Sequence, residues 1–269
     1  MSNRNHSLMS SIAACLLVFG QTGCAGDVAE EEEDVGSTRS ALITENALSA
    51  NALSANALSA NALNPIKDPG AAGLLSRELL RYTVGCALST TQSFSFSWTA
   101  NSDVVHNETY MGALGLATAW AAGPLDLPGQ RMVSACLAAR TNYYRTPVVF
   151  SARSTIEPLK SSMTSDELTD YNRLEGAFWG NLFSATPYLN SCYRANTVDH
   201  SRTQLRECAA GHLSNNTVVE CGMIHIAGAC AGACAALDTA TKTYPSCVDH
   251  AEIHGSTATT AYVITSDLQ

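Results

Sequence analysis

Cysteine constrains the fold of this chain more than any other residue type. The chain has ten cysteines, of which Cys15 lies inside an apolar N-terminal leader and Cys24 ends that leader. Exported proteins oxidise their cysteines, whereas cytosolic proteins keep them reduced. The remaining eight cysteines form an even set, which predicts four disulfides in an exported domain. These eight are Cys86, Cys136, Cys192, Cys208, Cys221, Cys230, Cys234 and Cys247.

Residues 1–23 have the pattern of a lipoprotein signal peptide. Arg4 precedes an uncharged, mostly apolar run over residues 8–19, which is too short to span a bilayer. The segment that ends in Cys24 resembles a bacterial lipobox, in which small residues precede a cysteine that receives the lipid. Gln21 departs from that pattern, which usually has an aliphatic residue there. We expect lipid attachment at Cys24 and an outer-membrane location, with an ordinary secreted protein as the alternative.

Residues 24–69 have the composition of a flexible linker. An acidic block at residues 27–34 repels itself, and a NALSA repeat starts at Asn46. Leucines spaced five apart are rotated by about 140° from one another on a helix, so they share no face and predict no amphipathic helix. We therefore place the start of the globular domain at residue 70.

Residues 70–269 show both helical and strand periodicity. The predicted helices span residues 71–88 and 128–142, and a third begins at the capping pair Thr164 and Glu167, with Leu168, Tyr171 and Leu174 on one face. The predicted strands span residues 93–98, 104–110, 147–153, 217–227 and 260–265. This pattern predicts a single α+β domain, stabilised by disulfides. Its helices would pack on a small antiparallel sheet, and its C-terminal part would be dense in cysteine and rich in loops.

Two of the cysteines can be paired from the sequence. Cys86 shares the apolar face of the first helix with Leu79, and Cys136 shares that of the second helix with Met132. Both thiols therefore point toward the core, which predicts a Cys86–Cys136 bridge. The sequence does not choose among the pairings of the other six cysteines.

Three segments carry a resemblance to a known group of proteins. They are GALGLATAW at residues 112–120, VSACLAARTN at residues 133–142 and LEGAFWGNLF at residues 174–183. Together with the NALSA repeat and the final C-x3-C spacing, they are similar to cysteine-rich exported lipoproteins of predatory Gram-negative soil bacteria. The resemblance implies one domain at the cell surface, and it implies no activity.

The charge of the chain excludes one large class of partners. The net charge is −9, and the sequence contains no basic stripe or patch. Binding to nucleic acid or to an anionic membrane needs a basic face that releases counterions. We therefore expect no nucleic-acid partner, and contact with the membrane only through the lipid anchor.

Histidine and cysteine provide weak candidates for a metal site. His250 and His254 are four residues apart, but the glutamate between them, Glu252, is one position later than in the zincin motif. His225 lies in a C-x3-H-x4-C-x3-C set, whose cysteines we expect to be oxidised and therefore unable to bind zinc. We predict no metal and no cofactor. An extracytoplasmic metal-dependent hydrolase that uses some subset of His225, His250, Glu252 and His254 remains the alternative function.

An arginine and tyrosine cluster is the candidate binding surface. It consists of Arg140, Tyr143, Tyr144 and Arg145. Tyrosine and arginine are enriched where protein interfaces concentrate their binding energy. Motifs for a catalytic serine elbow or a phosphate-binding loop are missing from the sequence. The sequence therefore favours a lipid-anchored interaction or structural module that binds a protein or a glycan, and no specific activity can be assigned from it.

Overall fold

Apolar spacing and capping residues account for the helices. We describe them in a computed structural model that covers residues 43–46 and 63–269, which belong to one compact unit. The helices are α1 (Leu63–Lys67), α2 (Ala71–Ala87), α3 (Leu127–Ala139), α4 (Ser165–Asp170), α5 (Val198–Thr203) and α6 (Cys230–Ala233), with a 3₁₀ turn at Thr118–Ala121. Asp126 caps α3 by accepting a 2.8 Å hydrogen bond from the Gly129 amide. Thr164 caps α4 through the Glu167 amide, as its sequence predicts.

Most of the strands pair in one mixed sheet. The strands are β1 (Ile43–Asn46), β2 (Ser93–Thr99), β3 (Val105–Met111), β4 (Val148–Arg153), β5 (Arg173–Asn181), β6 (Tyr188–Tyr193), β7 (His212–Ser214), β8 (Thr217–Val219), β9 (Ile224–Ala229), β10 (Cys247–Val248), β11 (Thr259–Thr260) and β12 (Ile264–Leu268). The central sheet has six strands in the order β1-β4-β12-β5-β6-β9. Its neighbours are antiparallel, except that β9 runs parallel to β6. Helices with a mainly antiparallel sheet confirm the predicted α+β class.

The central sheet separates two apolar clusters. Consecutive residues of a strand point to opposite faces, and Phe178 and Trp179 in β5 belong to different clusters. We call the cluster that contains Phe178, α2 and α3 the helix-side cluster. The cysteine-side cluster contains Trp179 and consists of Leu174, Ala177, Trp179, Cys192, Cys230, Ala233, Tyr244, Cys247 and Val263.

A hairpin of β2 and β3 packs outside the central sheet. Phe94, Phe96 and Trp98 alternate with exposed serines, so one face of the hairpin packs inward, as predicted. The Trp98 ring lies 3.7 Å below the Arg77 guanidinium of α2, and its indole N–H donates to Glu108. Burial and the Glu108 carboxylate raise the pKa of Tyr110 well above its ordinary value, so this tyrosine stays neutral.

Four disulfides cross-link the domain. The predicted Cys86–Cys136 bridge joins α2 to α3, with the two Cα atoms 6.1 Å apart. The six other cysteines form the pairs Cys192–Cys230, Cys208–Cys221 and Cys234–Cys247. Disulfides of this kind form and persist in oxidising compartments, so the domain is extracytoplasmic. Among the described residues, no helix combines the length and the apolar character that crossing a membrane would require.

Three predicted elements differ from the structure. The third helix ends at Asp170, and Leu174 lies in β5 instead of on a helical face. An almost fully buried strand has no polar alternation, so its apolar spacing is easily mistaken for a helix. The strand predicted at residues 217–227 is divided into β8 and β9 around Gly222, which has a φ of 62°. The C-terminal strand is shifted toward the chain end, at Ile264–Leu268.

The packed part of the chain begins before residue 70, where the sequence placed the domain boundary. Ile66 in α1 is only 2% exposed, and its carbonyl accepts a 2.8 Å hydrogen bond from Arg77. β1 also falls within the range assigned to the linker, and it pairs with β4. The signal peptide, Cys24 and most of the NALSA repeat lie outside the described residues.

Candidate functional site

The structure keeps only part of the arginine and tyrosine cluster together. Tyr143 and Tyr144 follow α3 and are 47% and 41% exposed. Arg140 turns away from them, because its guanidinium lies 4.6 Å from the Tyr82 ring of α2. Arg145 forms a 3.3 Å ion pair with Glu78, which also lies on α2. The two arginines therefore connect the loop to α2, and the two tyrosines remain as the candidate contact residues.

A histidine that the sequence did not indicate completes the aromatic group. The His212 ring at the start of β7 stacks on Tyr143, with ring centroids 3.4 Å apart and planes within 8°. Tyr144 meets both rings edge to face, at 5.4 Å from Tyr143 and 5.8 Å from His212. Aromatic pairs in these geometries gain energy beyond their burial, so the three rings support one another.

Buried polar groups hold the aromatic loop in place. Asn142 is fully buried, and its amide donates to the carbonyls of Thr146 and Leu205 at 2.8 and 2.9 Å. Glu207 accepts from His212 Nδ1 and pairs with Arg202 at 3.4 Å. These contacts connect the loop after α3 to the segment between α5 and β7. The arrangement is therefore a property of the tertiary fold.

Glu207 also affects the charge state of the tyrosine beside it. Burial is the largest cause that raises the pKa of Tyr144, followed by the Glu207 carboxylate and its hydrogen bond. Tyr144 therefore remains a neutral hydroxyl at physiological pH. A neutral phenol can donate or accept a hydrogen bond at an interface without the cost of burying a charge.

Exposed apolar side chains are concentrated around the aromatic group. Within residues 43–46 and 63–269, six of the twelve exposed large hydrophobic residues lie in this part of the chain. These six residues are Tyr143, Tyr144, Leu205, Leu213, Val218 and Val219. We call the six residues and His212 together the apolar patch. The Leu205 carbonyl binds Asn142, and the β7–β8 register pairs His212 with Val219 on the hairpin face that meets Tyr143, and Leu213 with Val218 on the opposite face. An exposed concentration of this kind is typical of an interaction surface.

A groove extends the apolar patch toward the central sheet. It has a volume of about 700 Å³ and lies between the β7–β8 hairpin, α5 and the edge strand β9. Leu213, Val218 and Ile226 contribute apolar walls, whereas Asp199 and Glu220 contribute acidic groups. The patch is therefore a shaped surface in which a protruding side chain of a partner could be received.

The three histidines proposed as metal ligands do not form a shared metal-binding group among the described residues. His225 Nδ1 is bound to Glu220 at 2.8 Å, and His250 Nδ1 is bound to Glu252 at the same distance. The His250 ring also stacks 3.7 Å from Tyr188, whose hydroxyl donates to Asp249. His254 lies on an exposed turn. Histidine and glutamate here form surface pairs instead of a shared metal site.

The cysteines of the possible zinc motif are not available as ligands. Cys221, Cys230 and Cys234 each belong to a different disulfide, and an oxidised sulfur does not bind zinc. In the part of the chain that the structure describes, no group of three His, Cys, Asp or Glu side chains is placed to hold a metal ion.

The residues of the candidate site that the sequence does not indicate are distant from the tyrosines along the chain. His212, Leu205 and the β7–β8 hairpin meet them only after folding. The apolar residues on either side of the Asn215-Asn216 turn are the one local signal for this hairpin, because Asn tolerates the positive φ of a tight turn.

Comparison with known proteins adds no family to this description: no family model, no curated protein and no solved structure matches the chain. The chemistry of the apolar patch and the compartment that the disulfides indicate are therefore the features that point to a function.

Proposed function

We propose that this protein is an extracytoplasmic protein-interaction module, with the apolar patch as its contact surface and a lipid on Cys24 as its anchor. The observation that carries the proposal is that six of the twelve exposed large hydrophobic residues within 43–46 and 63–269 lie on three segments in contact: the loop after α3, the segment after α5 and the β7–β8 hairpin. Isolated exposed hydrophobic residues are ordinary, whereas a local concentration of them with aromatic members is typical of interfaces. The alternative of a metal-dependent hydrolase has no comparable support.

The composition of the patch favours a protein partner over a glycan. Leu213, Val218 and Val219 are aliphatic, and a sugar placed against them would lose hydrogen bonds to water without replacement. The side chains of a protein can bury both the aliphatic and the aromatic groups. Tyrosine adds a rigid, amphipathic contact with few rotatable bonds, which lowers the entropic cost of binding.

The anchor is supported by the lipobox resemblance at Cys24 and by the four disulfides, which indicate export. The resemblance to exported lipoproteins of predatory soil bacteria supports the same location. Such an anchor would keep the module at the outer membrane and raise its effective concentration near a partner there. Radiolabelled palmitate should be incorporated into the wild-type protein and lost with Cys24→Ser. Unchanged labelling would contradict the anchor and leave the contact surface untouched.

Site-specific photo-crosslinking tests the contact surface. A photoreactive phenylalanine analogue would replace Tyr144 or Val219 in the patch, and Met111 or Ile253 as matched controls. The two controls are similarly exposed hydrophobic residues, at 59% and 58%, and lie outside the patch. We expect both patch positions to capture the same protein on cells that produce the module, and neither control to do so.

A substitution in the patch tests whether the crosslinking depends on the patch itself. Tyr143→Lys places a charge where the aromatic stack lies, and it should abolish capture from Val219, whereas Tyr143→Phe should preserve it. Because Tyr143 is half exposed, neither substitution is expected to unfold the domain. Equal capture from Met111 and Ile253, or capture that survives Tyr143→Lys, would rule out the patch as the contact surface.

A further inference from the structure

Two disulfides of the cysteine-side cluster are in direct contact. The Sγ atoms of Cys192 and Cys234 are 3.6 Å apart, although they belong to the separate bridges Cys192–Cys230 and Cys234–Cys247. Cys230 and Cys234 begin and follow α6 and are not bonded to each other. A thiolate exchanges with a disulfide by direct attack on one of its sulfurs. A sulfur freed at Cys234 would therefore already lie beside the neighbouring disulfide.

The four cysteines differ in their access to solvent. Cys192, Cys230 and Cys247 are at most 1% exposed, whereas Cys234 is half-buried. A cleft of about 540 Å³ is lined by Cys230 and Cys234, with several alanines around them. Small side chains leave room for a small molecule next to the sulfurs. A thiol from solution would therefore reach Cys234 first.

The charge on the wall of the cleft favours one class of thiol. Arg194 is the only charged residue that lines it, and it forms no ion pair with any carboxylate of the described residues. Its Nε donates to Asn196 at 3.0 Å, which leaves the guanidinium charge uncompensated. In a chain with a net charge of −9, this cation is a local attraction for an anion. A cationic neighbour also favours the thiolate form of an attacking sulfur.

We propose that Cys192–Cys230 and Cys234–Cys247 form a thiol–disulfide exchange centre, entered at Cys234 by a small thiol that carries a carboxylate. This activity is independent of the apolar patch. In the first step the external thiolate attacks Cys234 Sγ, forms a mixed disulfide and expels Cys247 as a thiolate. A second external thiolate attacks the external sulfur of the mixed disulfide, releases the oxidised external disulfide and frees Cys234 as a thiolate.

The contact with Cys192 carries the exchange to the second bridge. The Cys234 thiolate attacks Cys192 Sγ across the 3.6 Å contact, forms a Cys192–Cys234 bond and expels Cys230 as a thiolate, which takes a proton from water. Two electrons enter from the two external thiols, and one disulfide of the protein is lost. The product keeps a Cys192–Cys234 bridge and has free thiols at Cys230 and Cys247.

Disulfide mapping after partial reduction tests this exchange. The oxidised protein is treated with 3-mercaptopropionate under native conditions, quenched with acid, alkylated and digested for mass spectrometry. We expect a peptide pair bridged by Cys192 and Cys234, with alkylated Cys230 and Cys247. Cys208–Cys221 is the internal control, because it also spans 13 residues and should stay closed. Alkylation confined to Cys234 and Cys247, with Cys192–Cys230 intact, would overturn the proposal.

A variant that lacks Cys234 tests whether Cys192–Cys230 is opened by exchange with Cys234 or by direct attack of the external thiol. In Cys234→Ser combined with Cys247→Ser, the same thiol treatment should leave Cys192–Cys230 closed, because its sulfurs are buried. Opening of that bridge at the wild-type rate would overturn the role of Cys234. The wild-type map decides the question on its own if this variant does not fold.

The choice of thiol tests the contribution of Arg194. We expect the ratio of opening rates for 3-mercaptopropionate over cysteamine, which is cationic, to fall about two- to fivefold with Arg194→Gln. The difference in thiol acidity between the two reagents is the same for both proteins, so it cancels when the ratio of the variant is compared with that of the wild type. An unchanged ratio would overturn the assignment of a carboxylate-bearing thiol.

Discussion

The two faces of the central sheet are stabilised by different means. The helix-side cluster contains large side chains from α2, α3 and the sheet, and only four of its thirty residues are cysteines, which form the bridges Cys86–Cys136 and Cys208–Cys221. The cysteine-side cluster is much smaller, and three of its nine residues are cysteines. β10 and β11, which accompany this face, are only two residues long. Where the chain offers few large apolar side chains, cross-links replace the packing that a helix layer would supply.

Two buried ion pairs of the domain also differ in how well their charges are satisfied. Arg206 on the helix side binds Glu175 and lies 4.5 Å from the Phe150 ring, so its charge is both paired and stacked. Asp267 in β12 is paired with Arg153 at 3.1 Å, but its two oxygens accept no hydrogen bond. Burial therefore dominates and raises the pKa of Asp267 to about 7. One ion pair is well satisfied, and the other has a carboxyl that keeps its proton up to neutral pH.

The largest expected effect is the loss of packing on the helix side. Phe178→Ala should lower the free energy of unfolding by about 3–5 kcal/mol, because a fully buried ring leaves a cavity that the helices cannot fill. Urea unfolding followed by circular dichroism measures it. Ile253→Ala, at an exposed site, is the control and should change stability by less than about 0.5 kcal/mol.

Removing one cross-link on the opposite face should cost somewhat less. Replacing Cys192 and Cys230 with alanine should lower the free energy of unfolding by about 2–4 kcal/mol, because the bridge restrains a separation of 38 residues in the unfolded chain. The same urea titration measures the change. If this double variant lost more free energy of unfolding than Phe178→Ala, the cross-link on the cysteine side would contribute more to stability than the packing on the helix side.

The buried aspartate should give the domain an unusual pH dependence. The folded Asp267 carboxyl keeps its proton up to about pH 7, whereas the unfolded carboxyl loses its proton near 3.8. Its stabilising contribution is therefore complete below pH 3.8 and is lost as the pH rises to about 7. The stability of the wild type relative to Asp267→Asn should fall by about 1 kcal/mol per pH unit across this window.

Urea titrations of both proteins at several pH values between 4 and 8 measure that difference. Comparing the two proteins at each pH removes the contribution of the other carboxyl groups. A difference that stays constant across the range would show that Arg153 keeps Asp267 ionised in the folded protein.

The smallest expected effect concerns a single helix cap. Asp126→Ala removes the hydrogen bond from the Gly129 amide at the start of α3 and should lower stability by about 1 kcal/mol. Asp126→Asn retains an acceptor and should recover most of that loss. Thermal unfolding of the three proteins gives the comparison, and equal loss in both variants would assign the effect to charge instead of capping.

Local signals predicted much of the helix side. The apolar spacing of α2, the Thr164 cap and the alternation in β2 depend on neighbours within a few residues, and all three are present in the structure. The helical prediction for Leu174 is wrong, because it lies in β5, and a strand buried on both faces carries no alternation. On the other face, short strands between disulfides carry too few residues to show any period.

The candidate site was predicted only in part. Tyr143 and Tyr144 stand out by composition, and the structure keeps them exposed. Arg140 lies nearby in sequence, but it is withdrawn because Tyr82 on α2 offers a cation–π contact. His212 could not be connected to Tyr143 from the sequence, because no local pattern links residues that meet through Glu207 and Asn142.

The sequence by itself determined the features that depend on residues close together along the chain. It indicated an exported, disulfide-bonded α+β domain, and it paired Cys86 with Cys136 because each thiol lies on the inward face of its helix. Tertiary structure alone decided the other three pairings, the strand order and the contact between Cys192 and Cys234. Those features join residues far apart in the chain, and they are selected by packing across the sheet, which no local propensity encodes.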